Sequence, residues 1–156
     1  MKVAVVMGSD SDYPVMKAAV DLLNEFAVEC EAKVLSAHRT PEDMILFGKE
    51  AKEKGFSIVI AGAGGAAHLP GMLASVSSIP IIGVPVQLKT LDGMDSLLSI
   101  VQMPKGVPVA TVAINNSMNA ALLALRILAT SNSDIYARLE EFRYKQANES
   151  RAKRLE

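Results

Sequence analysis

Val3-Ala4-Val5-Val6-Met7 is apolar at every position and stops at Gly8. A strand with one face in water would alternate apolar and polar residues. This run therefore reads as a parallel strand, covered by helices on both faces of its sheet. Ser57-Ile58-Val59-Ile60-Ala61 repeats the pattern, Val28 to Leu35 and Pro80-Ile81-Ile82-Gly83-Val84 add two further strands, and Val107 to Ile114 contains a fifth. Helical spacing fills the gaps. Val15, Met16, Ala19, Leu22, Leu23 and Phe26 mark one face of a helix of about four turns. Pro41 to Lys54 is a second helix, with Met44, Ile45, Phe47, Gly48 and Ala51 on its inner side and Gly55 as its left-handed stop.

Strand followed by helix, repeated, predicts an α/β fold of three layers, α/β/α, built on a five-stranded parallel sheet. The expected strand order is 2-1-3-4-5, the flavodoxin-like arrangement, with an additional helix at the C-terminal end. No composition shift, repeat or linker interrupts the 156 residues, so they read as one domain. That order puts the turns after strands one, two and three side by side at one edge of the sheet, where ligands of such folds bind.

Each of these turns carries chemistry. In Ser36-Ala37-His38-Arg39-Thr40-Pro41, a titratable imidazole stands beside a fixed cation. That pair suits proton transfer on an anionic substrate, and equally suits capping of a neighbouring carbonyl and carboxylate. Thr40 is placed to cap the following helix, with Pro41 in its first turn and Asp43 completing a conservative capping box. Gly8-Ser9-Asp10-Ser11-Asp12 offers hydroxyls and free amides at a helix start, which suits a phosphate. It has neither the Gly-Lys-Ser/Thr ending of a Walker loop nor the later glycines of a dinucleotide fingerprint. A carboxylate repels a phosphate, so its aspartates point either to helix capping or to ribose hydroxyls. Gly62 to Met72 holds three glycines in four residues and then His68, the other of the two histidines. A linker would carry Ser, Thr, Asp or Lys, whereas this stretch is apolar and leaves amides free to meet a ligand.

Composition narrows the function classes. Hydrophobic residues make up 50% of the chain and charged residues 21%, which excludes disorder. A net charge of -1 argues against a nucleic-acid binder. No apolar run reaches membrane-spanning length without interruption. No leader pattern precedes the first strand, and the single Cys30 permits no internal disulfide, so a reducing, cytoplasmic setting is expected. Mean hydropathy of +0.26 is high for so small a chain. Leu97 to Met103 and Asn119 to Leu128 are apolar on more than one side, which implies burial against other subunits. Asp134 to Glu156 is a charged final helix with a narrow stripe of Ile135, Leu139 and Phe142. Its tail from Tyr144 has little to bury and is expected to stay partly disordered or to dock on a neighbouring subunit.

Four stretches together resemble a known family. They are Met7-Gly8-Ser9-Asp10-Ser11-Asp12, the Ser36–Pro41 turn, Ala61 to Met72, and Asp95-Ser96-Leu97-Leu98-Ser99-Ile100-Val101-Gln102-Met103-Pro104. They closely resemble class I PurE proteins, the N5-carboxyaminoimidazole ribonucleotide mutases of purine (IMP) biosynthesis, over about Lys2 to Leu128. Class II enzymes, which carboxylate the aminoimidazole nucleotide directly, lack this Ala-His-Arg-Thr-Pro and His-Leu-Pro-Gly combination. The resemblance implies an isomerase that moves a carboxyl group from an exocyclic nitrogen to a ring carbon, with no metal and no organic cofactor. It implies that Ser9, Ser36 and Arg39 hold the phosphate, Asp12 the ribose hydroxyls, and that His38 carries the proton. Ala63, Gly64, His68 and Leu69 would enclose the base and the migrating carboxylate, and the subunits would form octamers. The position of Asp10 varies in the family, so no role is carried over to it. Two readings from other classes stand beside this one. A non-catalytic nucleotide-binding module would keep Ser9, Asp12 and Arg39 without needing His38. A purely structural oligomer would need none of the three turns.

Overall fold

The computed structural model describes residues Met1–Leu155. Its first half comprises β1 (Lys2–Met7), α1 (Tyr13–Glu25), β2 (Glu29–Val34), α2 (Pro41–Glu50) and β3 (Phe56–Gly64). Then follow α3 (Leu69–Val76), β4 (Ile81–Val86), α4 (Met94–Val101), β5 (Ala110–Thr111), α5 (Ser117–Ala129) and α6 (Ser133–Ala152). All strand pairs are parallel, and the order is β2-β1-β3-β4-β5. This is the expected flavodoxin-like α/β/α arrangement.

The continuous apolar runs make two cores, one on each face. Successive side chains of a strand point to opposite sides. Val3, Val5 and Met7 thus meet Met16 and Leu23 of α1 and Leu125 of α5. Ala4 and Val6 meet Met44 and Phe47 of α2, Leu73 of α3 and Ile100 of α4. β2 is an edge strand and mostly exposed, and it is charged accordingly: Lys2 Nζ lies 2.8 Å from Glu31 Oε2 and 3.6 Å from Glu29 Oε1. Such charge discourages pairing with a further strand.

Several local expectations change. β3 runs on to Gly64, so Gly62 and Ala63 belong to a strand and not to a loop. α3 begins at Leu69, inside the stretch read as a loop through Met72. Gly71 lowers helix propensity, yet packing decides the outcome: a Cβ there would sit 2.8 Å from Met103 Sδ, so close contact overrides the penalty. α2 is regular only to Glu50, with a turn closed by Gly55 at φ +83°. Ile45, expected inside, is 36% exposed because the buried face of α2 is set by Met44, Phe47 and Gly48. Thr40 makes no side-chain cap on α2. Its Oγ1 instead donates to the Ser36 carbonyl at 3.0 Å and closes the His-Arg turn.

α5 changes most in meaning. Ala120, Ala121, Ala124 and Leu125 are fully buried within this chain, between α1, the sheet and α6. These four need no second subunit, while Leu122, Leu123 and Ile127 stay partly exposed and Met118 is 39% exposed. α6 supplies part of the cover through Ile135, Leu139 and Phe142. Phe142 meets Phe26 edge-on at 6.0 Å, and Arg138 Nη1 donates to the Phe26 carbonyl at 2.8 Å. Beyond Tyr144 the helix continues to Ala152 with mostly exposed side chains. Glu156, the expected end of this helix, lies outside the described residues.

Candidate active site

Turns that follow parallel strands emerge at one end of the sheet. Those after β1, β2 and β3 line one cleft of about 370 Å³ there. Ser9 and Asp12 come from the first; Ser36, His38 and Arg39 from the second; Ala63, Gly64, His68 and Leu69 from the end of β3 and the start of α3. All nine residues singled out from the sequence thus line a common space.

The first turn is a short 3-10 turn held by a capping box. Ser9 Oγ accepts from the Ser11 N–H at 3.3 Å, and Asp12 Oδ2 accepts from the Ser9 N–H at 3.2 Å. The bland explanation of Asp12 is thereby satisfied, and the ribose explanation is compatible with it, since one oxygen takes the cap and the carboxylate still lines the cleft. Burial pushes the Asp12 carboxyl up from its ordinary pKa, against the pull of the Ser9 N–H and the Arg39 guanidinium.

Arg39 is the one arginine or lysine among the described residues that line this cleft. Its Nη2 donates to the Gly8 carbonyl at 2.8 Å and its Nε to Ser36 Oγ at 3.0 Å. These bonds tie the second turn to the first. They use two of the guanidinium donors and leave the others for an anion.

His38 Nε2 lies 2.8 Å from His68 Nδ1, with the rings at 88° to each other. One ring must donate and the other accept, so this contact couples the tautomers of the two neutral rings. It cannot persist with both rings doubly protonated.

The cleft is polarised along the sheet edge. Its hydroxyl, carboxylate and guanidinium groups stand after β2 and β1. Its apolar wall of Ala63, Gly64 and Leu69 stands after β3. Ser11, Ala66 and Leu88 also line it, though the sequence reading did not single them out. Leu88 follows β4, so the rule that ligands gather after parallel strands could have found it.

The glycine turn after β3 is fastened from α4. Ser96 Oγ accepts from the Gly65 N–H at 2.8 Å and donates to the Val86 carbonyl at 2.7 Å. Ser99 Oγ donates to the Asp95 carbonyl at 2.8 Å and reaches the Gly65 carbonyl at 3.3 Å. Among the described residues, no group of three or more His, Cys, Asp or Glu is placed to hold a metal ion. No helix there is long and apolar enough to cross a membrane.

A family described as AIR carboxylase matches residues 2–149. The N5-carboxyaminoimidazole ribonucleotide mutase of Saccharolobus solfataricus is 55% identical over 155 residues, covering 99% of this chain and 98% of that one. The protein of the same name from Thermotoga maritima is 54% identical, covering 99% of this chain and 92% of its own. The chloroplastic phosphoribosylaminoimidazole carboxylase of Vigna aconitifolia is 57% identical over 137 residues, but this chain spans only 25% of its length. Among solved structures, the crystal structure of Treponema denticola PurE superposes with a TM-score of 0.88 at 28% identity, covering 98% of this chain and 99% of that one. A profile match across nearly the whole sequence, full-length relatives above half identity and a shared fold lead to one conclusion: the chain belongs to the AIR carboxylase family.

Proposed function

We propose that this chain is a mutase of purine biosynthesis that converts N5-carboxyaminoimidazole ribonucleotide to 4-carboxy-5-aminoimidazole ribonucleotide. The observation that carries the reading is the pairing of His38 with His68 in a cleft whose two ends differ. The end with Arg39, Ser9 and Ser36 suits a phosphate, and Asp12 beside it suits ribose hydroxyls. The end with Ala63, Gly64 and Leu69 suits an uncharged fragment kept from water. Relatives of matching length bear the mutase name.

The chemistry needs one proton carrier. The N–C bond of the carbamate breaks, releasing carbon dioxide, and His38 gives a proton to the departing nitrogen. The electron-rich ring carbon then attacks the carbon dioxide, a C–C bond forms, and that carbon returns its proton to His38. Nothing is oxidised or reduced, and the imidazole ends as it began. His68 orients the ring and couples the His38 tautomer to its own. On this reading no metal or organic cofactor takes part. The chain acts as one domain over residues 1–156 and works in the cytoplasm. It assembles into a homo-octamer in which the exposed part of α6 docks on a neighbouring subunit. Exposed Leu91, Met94, Leu98 and Val101 support assembly, and the number eight comes from the resemblance to class I PurE.

The plant relative's name raises a second reading, direct carboxylation of the uncarboxylated nucleotide. A turnover assay separates the two. The mutase forms product from the carbamate without added bicarbonate; the carboxylase requires bicarbonate and the uncarboxylated nucleotide. In the same assay His38→Asn should lower kcat at least about a hundredfold while substrate binding persists. Turnover near wild type would remove His38 from the mechanism.

A further inference from the structure

Leu88 stands where the turn after β4 crosses the apolar end of the cleft. It occupies space that two glycines leave open. A Cβ on Gly64 would come within 3.0 Å of Leu88 Cδ2, and one on Gly65 within 3.1 Å of Leu88 Cδ1. The glycine backbone and this one side chain therefore form a single apolar surface. The base of Leu88 is anchored. The preceding Gln87 N–H donates to Asn115 Oδ1 at 2.8 Å, and Asn115 Nδ2 donates back to Gln87 Oε1 at 3.1 Å. Leu88 is nevertheless 45% exposed. An exposed leucine held by a paired amide clasp over bare backbone is placed to screen that backbone from water.

We infer that Leu88 is the retention residue of the site, the apolar cover that keeps carbon dioxide beside the ring between decarboxylation and recarboxylation. The inference rests on the mutase reading. Carbon dioxide is uncharged, small and weakly hydrated, so neither Arg39 nor the hydroxyl groups can hold it. Only an apolar wall that excludes water delays its escape. The polar end of the cleft lies after β2 and β1, so the uncharged fragment belongs at the β3–β4 end, under Leu88. If it escapes, carbon dioxide takes up water, so the carbamate and one water give the uncarboxylated nucleotide and bicarbonate, and the mutase reaction has failed.

The test uses the full-length protein turning over the carbamate in 13C-bicarbonate, with carbonic anhydrase present to equilibrate carbon dioxide. The enzyme-free loss of carbon dioxide is subtracted. The readout is the fraction of product carboxyl carrying label, normalised to product formed, so a merely slower enzyme does not change it. Wild type should pass on the substrate's own carboxyl largely unlabelled. Leu88→Ala should raise labelling per product at least about threefold and release uncarboxylated nucleotide. Leu88→Met, which restores apolar bulk, should return close to wild type. Equal labelling in wild type and Leu88→Ala overturns the inference, and so does equal labelling in Leu88→Ala and Leu88→Met. Wild type that makes no product, or only fully labelled product, overturns the mutase reading and the retention role together. Unlabelled product from both wild type and Leu88→Ala overturns the retention role alone.

Discussion

α5 and α4 are both too apolar to face water on one side, yet they meet that requirement differently. α5 lies between α1 and α6, and Ala120, Ala121, Ala124 and Leu125 are wholly buried within one chain. α4 buries Ile100 and the polar Ser96, while Met94, Leu98 and Val101 remain about half exposed. The spacing of 94, 98 and 101 puts these three on one helical face. An all-round apolar helix shows only that something covers it. α6 covers α5, and among the described residues no element covers the outer face of α4. The difference reaches the site, because the inner face of α4 carries the Ser96 and Ser99 hydroxyls that hold the glycine turn. α5 is thus a helix of the core, and α4 joins an open apolar surface to the cleft.

A charge placed on each helix tests this contrast most severely. Leu125→Asp puts an unpaired carboxylate into the α1–α5–sheet core and should cost more than about 4 kcal/mol, enough to abolish cooperative thermal unfolding. A Leu125→Asp protein that still melts cooperatively near the wild-type temperature would show that α5 is not core. Leu98→Asp should leave the circular dichroism spectrum and the fold of each subunit intact. Leu98 is 49% exposed, so the charge costs little unless another subunit covers it. In the proposed assembly each such contact should lose roughly 2 kcal/mol or more. Light scattering at micromolar concentration should then report smaller species, and activity should fall with assembly. Unchanged mass and activity would mean that the outer face of α4 lies outside the assembly contacts.

The smallest expected effect lies on the inner face of α4. Ser96 is fully buried and bridges Gly65 to Val86. Ser96→Ala leaves the Gly65 N–H without its partner and should cost about 1–3 kcal/mol, read as a lower urea midpoint at unchanged m-value. The glycine turn should also loosen, lowering kcat/KM more than the assembled mass. An unchanged urea midpoint would mean that the Ser96 hydroxyl is dispensable to the turn, and α4 would then affect the site through assembly alone.

Much of the architecture was legible before any coordinates. Val3–Met7 and Ser57–Ala61 are apolar at consecutive positions, which only a strand covered on both faces tolerates, and strand–helix alternation then leaves few topologies. That topology brought the Gly8–Asp12, Ser36–Pro41 and Gly62–Met72 segments together, and with them every residue expected to line the cleft. Local sequence failed where two signals competed. Thr40 has a capping residue's chemistry, but its hydroxyl donates to the Ser36 carbonyl and makes no cap. Gly71 reads as loop, but Met103 needs its missing side chain.

What the amino-acid order determined by itself was therefore periodic: which residues form strands and helices, which faces they bury, and at which end of the sheet the turns emerge. Those properties depend on spacing along the chain, and spacing is written in the sequence. What only the tertiary structure decided were contacts between distant residues of similar local character. α5 rather than α4 received cover from α6. Leu88 settled over Gly64 and Gly65. The bond between His38 and His68 spans 30 positions of sequence, and no local rule distinguishes two histidines that touch from two that merely share a sheet edge. Such pairings follow from how the packed layers bring separate turns within hydrogen-bond distance, and that distance exists only once the sheet and its helices have assembled.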